Sequence, residues 1–351
     1  MNTVEIVRKL SEADGVSGDE VAVRKVVRDL FGPYADELRT DALGNLIALK
    51  KGTGDTGSRR RAIMLAAHSD EIGLMVKGFD EGFIRFARVG GVDVRTIVGQ
   101  EVTVHGKRPL PGIIASRPPH VLSAAEREQV IALDKLFIDV GRSADRVKEG
   151  VRVGDFVTMR RDFVELAEGY VSGKTFDDRT GIAALALCLE MLSSRQHIWD
   201  VYAVATSQEE VGLRGATTSA YGITPDLAIA VDVGFGLQQG VAEQEAVSMD
   251  GGPAIAMGPN FHPLLHESIV ATAKASEIKH QLEVSPGPSG TDAWAIQVAR
   301  EGIPTALFSI PLRYMHTSVE TICIKDIERT GRLMAAFIAG LDEESGHKLA
   351  L

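Results

Sequence analysis

The chain has 351 residues, 44% of them apolar and 25% charged, with a formal net charge of -10. The composition is that of a globular protein, and the acidic balance excludes the basic face that nucleic acid recruits. The length calls for two domains, or one large domain with an insertion.

Residues 2–13 and 19–31 read as amphipathic helices, with Val4, Val7 and Leu10 on one apolar face and Val23, Val26, Val27 and Leu30 on the other. Asp19 is the expected cap of the second. This charged N-terminus lacks the apolar core of a signal peptide. No apolar run approaches the ~18–20 residues of a membrane span, so no membrane is expected and the location is expected to be cytoplasmic. Residues 38–49 read as extended about a turn at Leu43-Gly44-Asn45, and residues 52–58 as a polar, glycine-rich loop. After Asp70 the texture changes: residues 72–165 are strand-rich and punctuated by glycine. They include a hairpin about Asp80-Glu81-Gly82, two further strands within 99–116, and one helix at 123–135. From about 166 strands and helices alternate. Helices are expected at 180–194, 213–221, 262–276, 292–300 and 325–341, and strands at 199–207, 226–232, 280–284 and 304–309. Cys188 falls in the mostly apolar run of the first of these helices and reads as a buried thiol. The expected fold class is α/β, a mixed sheet sandwiched by helices. Its catalytic domain would comprise residues 1–71 and 166–351, with residues 72–165 an inserted β-rich domain.

Acidic or histidine-bearing segments stand at the ends of apolar runs: AAHSDE (66–71), TFDDRTG (175–181), SQEEVG (207–212), AVDVG (230–234) and RYMHTS (313–318). In open α/β sheets functional groups gather at the carboxyl ends of strands. His68 and Asp70 are two apart, so on an extended end they project to one side; Asp70 could be a metal ligand or the partner that orients His68. Asp177-Asp178 opens a helix, where carboxylates also serve as caps. Of the adjacent Glu209 and Glu210, one could ligate metal while the other takes a proton from water. Asp232 sits in an apolar run, where a carboxylate needs a partner or a metal. Singly these segments have ordinary readings as caps or solvated loops. Together they describe a site for two divalent metals, and hence a hydrolase.

The set resembles the tetrahedral (TET-type) dinuclear metallo-aminopeptidases, a family that includes glutamyl aminopeptidases and proteins once labelled cellulase M. The resemblance covers essentially the whole chain, including residues 111–120 (PGIIASRPPH), Gly290-Thr291-Asp292-Ala293 and residues 310–320 (IPLRYMHTSVE). It implies that His68 and Asp232 hold one metal, Glu210 and His316 the other, and that Asp177 bridges them. Glu209 would be the general base and Asp70 would orient His68. A non-proline cis peptide would join Asp177 and Asp178. The cofactors would be two ions of zinc or cobalt per subunit. The substrates would be short peptides with a free N-terminus, contacted by Gly290, Thr291, Asp292 and Arg313. By the same resemblance the inserted domain builds a homo-dodecamer from dimers, with residues 112–122 a loop near a neighbouring active site. Ser318 departs from the family pattern, because a proline often stands there.

Other readings use the same residues differently. A metal-dependent deacylase or carboxypeptidase would need a cation for the substrate carboxylate, a role open to Arg313. A cellulase-type glycoside hydrolase would need paired carboxylates without metal and an aromatic groove, which 5% aromatic residues and two tryptophans, Trp199 and Trp294, do not favour.

Overall fold

The computed structural model describes residues 1–53 and 60–349; residues 54–58 of the expected glycine-rich loop lie outside the described residues. An 11-stranded mixed sheet forms the frame. At its centre Asp200–Thr206, Ala62–His68, Leu227–Phe235 and Thr305–Arg313 run parallel, side by side. Parallel strands covered on both faces are apolar almost throughout, which is why Ala62–His68 is buried along its whole length. Successive side chains still point to opposite faces. Ile63, Leu65 and Ala67 join the core under the helices Phe176–Leu192 and Ile324–Ala339, while Met64 and Ala66 join a second core on the other face.

Antiparallel strands extend this centre. Glu37–Thr40 and Leu46–Lys50 form the hairpin expected at residues 38–49. On the far side lie Glu320–Cys323, Tyr170–Gly173 and Val164–Glu165. Ala254–Met257 pairs with Thr305–Arg313 and carries Gln281–Val284 alongside.

Six strands between Gly73 and Met159 close a separate barrel. Its antiparallel neighbours alternate cleanly: along Pro109–Ala115 every second residue is buried. Leu74, Val76, Ile84, Val102, Val104, Ile114, Ile138 and Val157 fill the interior.

Several boundaries differ from expectation. Residues 123–135 hold only a single helical turn, Ala124–Arg127, and a 3-10 turn, Leu133–Lys135. A Ser123–Glu126 capping box starts the helix, but residues 123–130 are all exposed, and a helix this short is marginal without a packed face. Asp19 does not cap the second helix. That helix begins at Val21, and the neighbouring Glu20 carboxylate accepts from the Gly18 N–H instead. The expected loop at 112–122 starts only after Ala115, because Gly112 to Ala115 continue a barrel strand. The helix expected from 180 is preceded by a turn at Phe176, because Asp177 and Asp178 have non-helical backbone angles, and the one expected to reach 300 ends at Gln297.

Candidate metal centre

His68 ends its strand directly beside Thr206, and Asp232 lies within the next parallel strand. Glu209 and Glu210 follow Thr206 by three and four residues, and His316 follows Arg313 by three. Parallel alignment therefore delivers all of them to one edge. Asp177 arrives from the first turn of the helix Phe176–Leu192, through a cis Asp177–Asp178 peptide. Thr175, Gln208, Leu213, Tyr314 and His316 all adopt left-handed backbone conformations (φ between 56° and 62°). Such residues cost of order 1–3 kcal/mol each and cluster at functional sites.

Two groups of donors overlap at Asp177. His68, Asp177 and Asp232 form one, and Asp177, Glu210 and His316 the other; within each, the donor atoms lie within 4.8 Å of one another. Asp177 Oδ1 is 2.9 Å from His68 Nε2, and Oδ2 is 3.2 Å from His316 Nε2. Glu210 Oε1 is 3.4 Å from His316 Nε2. Glu209 Oε2 lies 3.9 Å from His68 Nε2 and is nearly buried. His68, Glu209 and Glu210 also form a compact group, so proximity alone does not rank the two glutamates.

Asp70 acts on more than the imidazole. Its main-chain oxygen lies 3.1 Å from His68 Nδ1, while its carboxylate accepts from the Glu209 and Glu210 N–H groups and from Ser17 Oγ. Glu320 does the equivalent work opposite, accepting from the N–H groups of Asp177 and His316. Glu320 lay in the motif read from the sequence without a role. A carboxylate four residues from a histidine carries no signal until the chain turns back. Beneath them, buried Glu71 pairs with Lys174 at 2.9 Å and Arg179 at 3.2 Å, and Arg179 donates to the Ser69 and Leu10 carbonyls.

The electrostatics describe acids short of cations. Burial pushes Asp232, Asp178 and Glu320 well above the carboxylate range and raises Glu210. It pushes Glu209 up to about 10; His68 opposes the rise, and Asp232 and Asp292 reinforce it. Hydrogen bonds to Asp177 and Glu210 drive His316 up to about 11. For His68 burial pulls down, but the hydrogen bond to Asp177 and the surrounding carboxylates raise it well above its usual value. Asp177 is lowered despite burial, because both histidines bond to it. Carboxylates this close cannot all ionise unaided. Divalent ions would supply the missing charge, and imidazole with carboxylate is a donor set that suits them.

The groups open into a cavity of about 540 Å³ lined by Gly290, Thr291, Glu283, Trp294 and Phe235, among others. Of the four residues expected to contact substrate, Gly290 and Thr291 line this cavity. Asp292 and Arg313 do not. Asp292 is buried behind the wall, where Oδ2 accepts from Thr206 Oγ1 at 2.6 Å and Oδ1 has no partner among the described residues. Arg313 donates to the Leu237 carbonyl and sits 5.8 Å from the Tyr170 ring centroid, since its strand continues past 309 and turns it outward. Residues 72–165, to which the sequence assigns no metal-site residue, also reach the site. Gly91 lines the large cavity, and a Cβ there would lie 2.5 Å from His316 Nδ1. Ile72, Val92, Ile97 and Met159 line a smaller cavity with Asp177, Glu210 and His316.

A helix-covered sheet with paired His/carboxylate groups at its strand ends defines a metal-dependent hydrolase. Comparison with known proteins narrows the class. The model of the M42 glutamyl aminopeptidase family matches residues 44–333. A lysyl aminopeptidase of Pyrococcus furiosus is 37% identical over 345 residues, covering 96% of this chain and 97% of its own. A TET aminopeptidase from a marine-sediment thaumarchaeon superposes with a TM-score of 0.93 at 34% identity, over 99% of this chain and 98% of that one. The TET1 peptidase of Pyrococcus horikoshii, which can assemble into a tetrahedron or a large octahedral shell, gives 0.85 at 33% identity, over 97% and 100%. The chain belongs to the M42 family of metal-dependent aminopeptidases, hydrolases of the peptide bond.

Proposed function

We propose that this aminopeptidase removes N-terminal residues from short peptides with two divalent ions per subunit. His68 and Asp232 would hold one, Glu210 and His316 the other, and Asp177 would bridge them. The observation that carries this reading is Asp177, whose two oxygens face the two histidines from two overlapping donor groups. Zinc or cobalt held by these residues would lower the pKa of a water and polarise a carbonyl. Glu209, left outside both groups that share Asp177, accepts the proton of the attacking water and passes it to the leaving amine. Asp70 holds the Glu209–Glu210 backbone, and Glu320 holds Asp177 and His316, so that neither pair relaxes towards its neighbours' charge.

Free and N-acetylated peptides should be assayed before and after exhaustive chelation. The expected result is cleavage of free peptides alone, lost with the metal and restored by Zn²⁺ or Co²⁺. Equal rates on both peptides, or full activity after chelation, would overturn the reading. The deacylase or carboxypeptidase alternative needs a cation in the cavity. Arg313 is turned away, and no lysine or arginine lines the cavity among the described residues.

Residues 72–165 form, in this proposal, the domain through which subunits assemble into a homo-dodecamer built from dimers, as the shell of the P. horikoshii relative suggests. Among the described residues no helix is long and apolar enough to cross a membrane, and the proposed location is the cytoplasm. Light scattering tests the assembly; a fully active monomer at every concentration would exclude it.

A further inference from the structure

The cavity wall carries one carboxylate that the chemistry above does not use. Glu283 lies on the outlying strand Gln281–Val284, beside Ala256 of its parallel neighbour. Its side chain reaches towards the sheet centre, where Ser309 Oγ donates to Oε2 at 2.5 Å. Ser309 is the register partner of Asp232, so this carboxylate faces the same cavity as the metal-site residues. Gly234 keeps the approach clear: a Cβ there would lie 2.9 Å from Ser309 Cβ and 3.7 Å from Glu283 Oε1. No ion pair to Glu283 occurs among the described residues, and the cavity lining includes no lysine or arginine. The same lining includes apolar Phe235, Trp294 and Leu307.

A partly buried carboxylate held by one hydroxyl lacks a countercharge. A long alkyl stem ending in a cation fits both parts of this wall, because such side chains lay their methylenes on apolar surface and present the charge at the tip. We propose that Glu283 is the specificity residue of this cavity and selects peptides whose N-terminal residue is lysine or arginine. The proposal rests on the aminopeptidase reading. With it, the amino-terminal side chain points into the cavity while the scissile carbonyl meets the metal-site residues. A neutral side chain of the same length would leave the carboxylate unpaired, and sites built to pair a polar group reject analogues that lack it.

The test compares kcat/KM for lysine p-nitroanilide and norleucine p-nitroanilide, which share an alkyl stem and differ in the ammonium. The wild-type protein should favour lysine by about 10–100-fold. Glu283→Gln keeps an acceptor for Ser309 but removes the charge, and should bring that ratio close to one with metal content unchanged. Competitive inhibition of the wild-type protein by lysinamide and norleucinamide reads the same preference without any variant, and lysinamide should bind more tightly. Equal or better turnover of norleucine, or a ratio that survives Glu283→Gln, would overturn the role of Glu283 and leave the aminopeptidase standing. Failure to hydrolyse either substrate with metal present would instead overturn the reading beneath it.

Discussion

In the main sheet the four central strands run in one direction, and their carboxyl ends deliver His68, Glu209, Glu210, Asp232 and His316 to one edge. In the barrel every neighbour is antiparallel, so strand ends alternate between its two rims and the inward side chains are spent on filling the interior. Among the described residues, every group that could hold a metal comes from the sheet and its connections. The barrel contributes to the site as well, but through shape: a glycine against His316 and apolar walls beside Glu210. The difference teaches that charge is gathered by parallel topology, whereas a neighbouring closed barrel supplies steric definition.

Removing charge from the sheet side should have the largest effect on turnover. Glu209→Gln is expected to lower kcat by about 10²–10⁴-fold while retaining metal, and Asp177→Asn to lose metal itself. Metal analysis of both variants separates the two roles, and metal loss in Glu209→Gln would exchange Glu209 with Glu210. A change of shape on the barrel side should come next. Gly91→Ala places a Cβ 2.5 Å from His316 Nδ1 and 2.8 Å from Cε1, and displacing the ring of a proposed ligand by about 1 Å can cost on the order of 10²-fold. Titration of metal affinity alongside kcat/KM checks it. An unaffected variant would confine the barrel to assembly. The smallest effect on turnover belongs to Ile138→Ala, in the barrel interior between Ile84 and Ile114. It should cost stability by about 2–5 kcal/mol, read by denaturation, with turnover per folded molecule close to wild type. A turnover loss matching that of Gly91→Ala would dissolve the distinction between the two regions.

How much was legible followed from how local each signal is. Strands such as Leu227–Phe235 and Thr305–Arg313 were readable because burial on both faces leaves continuous apolar runs. Tyr170–Gly173, Ala254–Met257 and Glu320–Cys323 were not foreseen. The helix expected at 123–135 misled, since its composition suits a helix but residues 123–130 are all exposed and have no packed face. Asp70 was read as a partner of His68, and its hold on the Glu209 and Glu210 amides emerged only across the fold.

By itself the sequence determined the α/β class, the hairpin about Asp80-Glu81-Gly82 and the residue types at the strand ends, because period, turn chemistry and isolated carboxylates in apolar runs act over a few neighbouring residues. Tertiary structure alone decided that Asp177 faces both histidines and that Arg313 and Asp292 leave the cavity. It also decided that Gly91 presses on His316, and that Glu283 comes to Ser309 from 26 residues away. Those relations depend on strand order and register, which are set by the packing of distant segments and leave no local pattern along the chain.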